Sequence, residues 1–142
     1  MKAQRTDHGW LLRLDRGEEI LDSLRGFARE HAIGCALVSG IGAVGETELG
    51  FFTPATRTYD RHTLHGDHEI LSLSGNLSVM DGEPFPHCHL IVCGPDLVAR
   101  GGHLFRGVVS VTCEIHLVTS AGVLVRTPRP DLGVHPLAPD GD

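Results

Sequence analysis

Three of the chain's ten histidines stand in one short stretch, PFPHCHLIVCGPDLVARGGHL, from Pro84 to Leu104. His87 and His89 flank Cys88, and His103 follows Gly101 and Gly102. On an extended strand, positions i and i+2 share a face, so His87 and His89 project together while Cys88 points away. After a turn in GPDLVARGG, a neighbouring strand can bring His103 back beside them. Three neutral imidazoles supply three ligands of a tetrahedral divalent ion and leave the fourth position to water or a small molecule, the arrangement of an open zinc site. The competing reading is that surface or structural histidines have fallen on strands and a turn. H-x-H alone is common; the close third histidine favours a metal.

Other residues invite chemistry less directly. His62, His65 and His68, in RHTLHGDHEI, form a second cluster. His62 and His68 have the same parity on a continuous strand, but Gly66 interrupts it. These histidines are expected to be mostly exposed, with His65 or His68 the weaker candidate ligand. Glu69 enters the apolar run of HEILSLSG. A carboxylate entering a buried strand needs a partner; near a metal it would orient a ligand histidine or act as a general base. A strand-end surface glutamate is the alternative. Gly40-Ile41-Gly42-Ala43-Val44-Gly45 fits G-x-G-x-x-G. A pyrophosphate cradle would need the third glycine to open a helix, yet ETELGFF alternates like a strand. A tight glycine turn between strands is expected there, with no dinucleotide site. No G-x-S-x-G, H-E-x-x-H or Walker sequence marks a nucleophile or a phosphate loop.

The elements that must position these residues read as one domain over 1–126. A length of 142 residues with 41% hydrophobic content suits a single globular core. WLLRL opens as a strand. GEEILDSLRGFAREHAIG then spaces Ile20, Leu21, Leu24, Phe27 and Ala28 on one helical face, with Glu18 and Glu19 in the first turn and Gly34 at the stop. CALVSGIGAV follows as a buried strand. ETELGFFTP, RTYDRHTLH, HEILSLSGNLSVM, PHCHLIVCG and GVVSVTCEIHLVT are further strands. In the last, Val109, Val111, Cys113, Ile115 and Leu117 alternate with polar residues, the pattern of a half-buried strand. The expected class is α+β, a mainly antiparallel sheet with one principal helix near the N-terminus. Residues 127–142, rich in proline and polar groups, are expected to be an extended arm or a disordered tail.

Composition narrows the partners. Twelve Lys and Arg against eighteen Asp and Glu give a formal charge of −6, which disfavours a phosphate-driven nucleic-acid surface. No stretch of about 20 apolar residues predicts a membrane span, and MKAQRTDHGWLLRL carries no secretion signal. Cys35, Cys88, Cys93 and Cys113 lie in apolar stretches without C-x-x-C, as reduced thiols of a cytoplasmic protein would. Short strands and one helix leave sheet surface for another subunit to cover.

RLDRGEEILDSLRGFAREHAI, LVSGIGAVGETEL, GDHEILSLSGNLS, PHCHLIVCG and RGGHLFRGVVSVTCEIHLV, in this order, resemble the PPC domain, the plants-and-prokaryotes conserved domain. The resemblance spans about residues 11–119. It implies an α+β fold assembled as a homotrimer, with a divalent metal, commonly zinc, on the H-x-H and G-G-H-L histidines, here His87, His89 and His103. Plant relatives carry the domain behind AT-hooks whose core is Arg-Gly-Arg-Pro; this chain has no such core. The expected function is therefore a metal-binding PPC-domain protein of unspecified activity. The alternatives are a DNA-binding or regulatory module and a metal-dependent enzyme acting on a small molecule.

Overall fold

In the computed structural model, which describes residues 1–139, the alternation of apolar side chains organises almost the whole chain into strands. The order is β1 (Lys2–Thr6), β2 (Gly9–Asp15), α1 (Ile20–Glu30), β3 (Ala36–Thr53), β4 (Thr58–Leu64), β5 (His68–Met80), β6 (Glu83–Cys93) and β7 (Ala99–Thr119). They form one antiparallel sheet ordered β1-β2-β7-β6-β5-β3-β4. β3 also pairs with β7, so β7, β6, β5 and β3 close into a ring. Among the described residues the chain is thus mostly antiparallel β with a single short helix near the N-terminus. Among the described residues no helix is long and apolar enough to cross a membrane.

The helix is shorter than its sequence pattern. Glu19 is its N-cap, accepting from Asp22 N at 2.7 Å and from Gly107 N at 2.8 Å. That second bond ties the helix start to β7 instead of leaving Glu19 in the first turn. The helix ends at Glu30, and Ala32 takes a left-handed φ of 51°, so the stop comes before Gly34. Ile20, Leu21, Leu24, Phe27 and Ala28 are buried, as their spacing predicts. They pack with Leu12, Leu14, Val38, Leu73, Leu77, Leu90, Leu104, Ile115 and Leu117 in one core. All four cysteines are free, and Cys88, Cys93 and Cys113 are buried. Burial pushes the Cys88 and Cys113 thiols up to about 12, which leaves them protonated and inert.

Two expectations yield to sheet irregularities. Gly40–Gly45 is not a turn: it lies inside β3, with a bulge between Gly40 and Gly42. At Gly42, φ is +153° and a Cβ would stand 2.3 Å from the Thr112 carbonyl oxygen. The glycine serves close strand approach. Opposite it, β7 advances from Cys113 to Val109 while β3 advances only from Gly42 to Val44. The slack turns Val111 outward, 64% exposed, although its parity matches the buried Val109 and Cys113. β1 is an edge strand whose residues are all exposed, so no apolar alternation announces it.

Beyond β7 the chain turns back along the end of β5. Val125 bridges Val79 in parallel, and Arg126 N donates to Val79 O at 2.9 Å. Residues 127–139 continue as an arm with bridges Arg126 to Leu137 and Arg129 to Val134. The end of the expected arm or tail, residues 140–142, lies outside the described residues.

Candidate metal centre

β6 alternates cleanly: Cys88, Leu90 and Val92 are buried in the core, while His87, His89 and Ile91 face the other way. Register then assembles the histidines. His89 pairs with His103 of β7, and on the other side His87 and His89 pair with Asn76 and Ser74 of β5. Adjacent strands lie about 4.8 Å apart, so residues in register stand side by side on one face. Ring centroids are 5.4 Å apart for His87 and His89, 5.0 Å for His87 and His103, and 5.4 Å for His89 and His103. One ring nitrogen from each lies within 4.8 Å of the other two. Among the described residues this is the group of His, Cys, Asp and Glu donors that converges on one point.

The surroundings keep two of the rings neutral. Burial, then Arg126 and the other two histidines, depresses His87 to about 4. Burial, then His89, Arg61 and Arg126, brings His103 to about 4. A neutral imidazole is the metal-binding form. The Nδ1 of His103 is buried with no hydrogen-bond partner. Such an orphan is costly unless something accepts its lone pair or its proton, and a metal ion does so. The donor set and this atom fit a divalent ion.

Aromatic rings wall one side. Tyr59 and Phe105 stand 5.0 and 4.7 Å from His103, centroid to centroid, and Arg61 lies over Phe105 at 3.6 Å. Gly50, paired with both His103 and Arg61, makes room for them: a Cβ there would meet Phe105 Cε2 at 2.5 Å and Tyr59 Cδ1 at 3.2 Å.

The other wall is a residue the sequence pattern did not single out. Arg126, 7% exposed, donates from Nη2 to His87 Nδ1 at 2.9 Å and to Asn76 Oδ1 at 2.8 Å. Its Nε donates to Ser78 Oγ at 2.9 Å and its Nη1 to His135 O at 2.8 Å. Arg126 lies 23 positions after His103 in a segment without strand alternation. The available signal was one cation beside apolar VLV, just before the proline-rich arm.

The remaining candidates are not brought to this centre. Glu69 is exposed and pairs with Cys93 and Ala43. It is five residues along β5 from Ser74, roughly 16 Å at strand rise. His62 is exposed and pairs with Asp60 at 3.3 Å. His65 is exposed in the β4–β5 turn, and His68 Nδ1 bonds Gly66 O at 2.9 Å.

The family model of the Plants and Prokaryotes Conserved (PCC) domain matches residues 1–121. The chain belongs to this family. Solved structures agree with the PCC fold throughout its length. A metal-containing protein from Archaeoglobus fulgidus is 34% identical, with a TM-score of 0.84 over 97% of this chain and 99% of that one. A plant- and prokaryote-conserved protein from Pyrococcus horikoshii is 32% identical, with a TM-score of 0.86 over 96% and 93%. A candidate DNA-binding protein from Bacteroides thetaiotaomicron is 31% identical, with a TM-score of 0.93 over 96% of each chain. No curated protein matches this PCC chain.

Proposed function

We propose that this PCC-domain protein binds one divalent metal ion, zinc, through His87, His89 and His103. The observation that carries the reading is the convergence of three ring nitrogens, one from each histidine, within 4.8 Å of one another. An all-nitrogen set of three suits zinc and leaves a coordination position open. The metal-containing relative from Archaeoglobus fulgidus supports it. Tag-free protein loaded with zinc and desalted is expected to hold one zinc per chain by elemental analysis. No retained zinc would overturn the reading.

The open position makes the protein a receptor for a small molecule at the metal, with catalysis or sensing as its use. The likeness to a candidate DNA-binding protein supports a second reading, a DNA-associated regulatory module. The formal charge of −6 weighs against it. Retarded DNA mobility at near-physiological salt would favour that reading, and none would remove it.

We further propose a cytoplasmic homotrimer of a domain over 1–126 with a C-terminal arm. Leu37 and Val118 are paired neighbours, 57% and 45% exposed, and Ile41 is 60% exposed further along β3. Apolar surface of this kind invites a second copy. Light scattering is expected to give three times 15.3 kDa, and a monomer would contradict it.

A further inference from the structure

Arg126 differs from the ion-paired surface arginines in its acceptors. Arg25, Arg29, Arg61, Arg100 and Arg106 each face a carboxylate at the surface. Arg126 is 7% exposed, and its four acceptors are a hydroxyl, an amide oxygen, a backbone carbonyl and an imidazole nitrogen. None carries charge. The Phe85 ring, 5.4 Å from the guanidinium carbon, adds only a quadrupole. A buried cation without a counter-charge is expensive, and among the described residues no carboxylate pairs with it.

A divalent ion on the histidines sharpens this imbalance. Three neutral imidazoles bring no negative charge, so the ion's two positive charges would sit beside the guanidinium. Arg126 also constrains His87. Arginine only donates, so His87 Nδ1 is the acceptor of their 2.9 Å bond, and the neutral ring carries its proton on Nε2. A metal binding His87 must release that proton or displace the guanidinium. An anion beside the ion would offset the charge and, by drawing the guanidinium off His87, leave Nδ1 free to carry the ring proton while Nε2 meets the metal.

We infer that the site takes a small oxyanion, a carboxylate or phosphate group, held between the metal ion and Arg126. This rests on the metal reading above and names the class of ligand for its open position. Ser78, His135 and Asn76 hold three of the guanidinium's five N–H donors, so the uncommitted donor and the one drawn off His87 are available to the anion. Asn76, in register with His87, accepts from Arg126 at its Oδ1 and keeps its amide nitrogen as a further donor. Exposed His89 marks the open side, and Arg126 lies at the buried side. A nucleic-acid backbone phosphate stays at a surface, whereas this guanidinium is recessed, so the ligand is a small molecule.

Tag-free, metal-stripped protein titrated with cobalt(II), followed by visible absorption, tests the inference. Acetate and inorganic phosphate are the two probes, and acetamide is the neutral control. For the wild type, the anion is expected to change the cobalt spectrum saturably and to raise cobalt affinity about tenfold, the size of an ordinary coupling between two ligands. Acetamide is expected to do neither. In Arg126→Gln the coupling, read as the ratio of cobalt affinities with and without the anion, falls below about threefold whatever the affinity for cobalt alone; Arg126→Lys keeps part of it. Whichever of acetate or phosphate couples more strongly identifies the oxyanion. Equal coupling in the wild type and Arg126→Gln overturns the inference, as does a cobalt-loaded wild type that answers no anion or answers acetamide equally. In those cases the metal reading stands. Protein that never takes cobalt overturns both. If Arg126→Gln does not fold, acetate against acetamide in the wild type, together with Arg126→Lys, decides the matter.

Discussion

Two clusters of three histidines have opposite structural fates. His62, His65 and His68 fall on an edge strand, a turn and the first residue of β5, where each meets solvent or a local partner. His87, His89 and His103 fall on inner strands of the sheet, where register places them side by side. Both clusters have three imidazoles within a short run. The difference is whether the residues lie on neighbouring inner strands in register or on an edge strand and a turn. Pairing fixes direction as well as position, and a metal site needs both.

The widest way to break this comparison is to remove ligands from each cluster. His87→Ala/His89→Ala is expected to lose zinc altogether, from one ion per chain to none by elemental analysis. His62→Ala/His65→Ala is expected to keep it. Zinc lost equally from both variants would place the ion elsewhere. The triad's proposed role was legible because it needs only parity and one antiparallel return, and both follow from alternating apolar residues. Arg126 was not legible. Its contact with His87 depends on the chain after β7 turning back along Val79, a path set by backbone bonds that no side-chain period announces. The Gly40–Gly45 run misled for a related reason. Local glycine spacing describes a turn and a tightly packed strand equally well, and only the opposing Thr112 carbonyl distinguishes them.

A second test turns one strand over. Leu90, fully buried, lies between exposed His89 and Ile91. Leu90→Ala is expected to cost about 2–5 kcal/mol in urea unfolding, the range for a buried leucine that leaves a cavity. Ile91→Ala, on the histidine face, is expected to stay within about 0.5 kcal/mol in the monomer. If Ile91→Ala costs as much as Leu90→Ala, that face is packed against something, and a second copy of the chain is the first place to look. The two substitutions therefore read association as well as packing.

The metal-free protein also has a pH signature belonging to the paired cluster. His87 and His103 have folded values near 4 against an ordinary 6.5, so between these limits the unfolded chain binds more protons than the folded one. Stability must therefore rise with pH across that window. Their contribution is fully present above about 6.5 and is lost as pH falls towards 4. His87→Gln is expected to flatten the slope of unfolding free energy between pH 4 and 6.5. Bound zinc should steepen the slope and carry it below about pH 4, because the ion keeps the ring nitrogens unprotonated in the folded chain only. An unchanged slope in His87→Gln would mean that the ring is protonated as readily in the folded chain as in the unfolded one.

The smallest expected effect probes how the edge strand meets the site. Gly50 joins the two regions: it pairs with His103 on one side and Arg61 of β4 on the other, and the Tyr59 and Phe105 rings fill the space above it. In Gly50→Ala the new Cβ would press on Phe105 Cε2 at 2.5 Å, so that ring must swing aside. Phe105 lies against His103, and a shifted ring tilts the imidazole with it. Overpacking of this kind is expected to cost about 1 kcal/mol of stability. Metal affinity should fall more than stability alone accounts for, because the triad loses alignment while the core below it is untouched. Calorimetric zinc titration beside urea unfolding separates the two. Reduced affinity with nearly native stability would make β4 a support of the metal centre; reduced stability with native affinity would make it only a sheet edge.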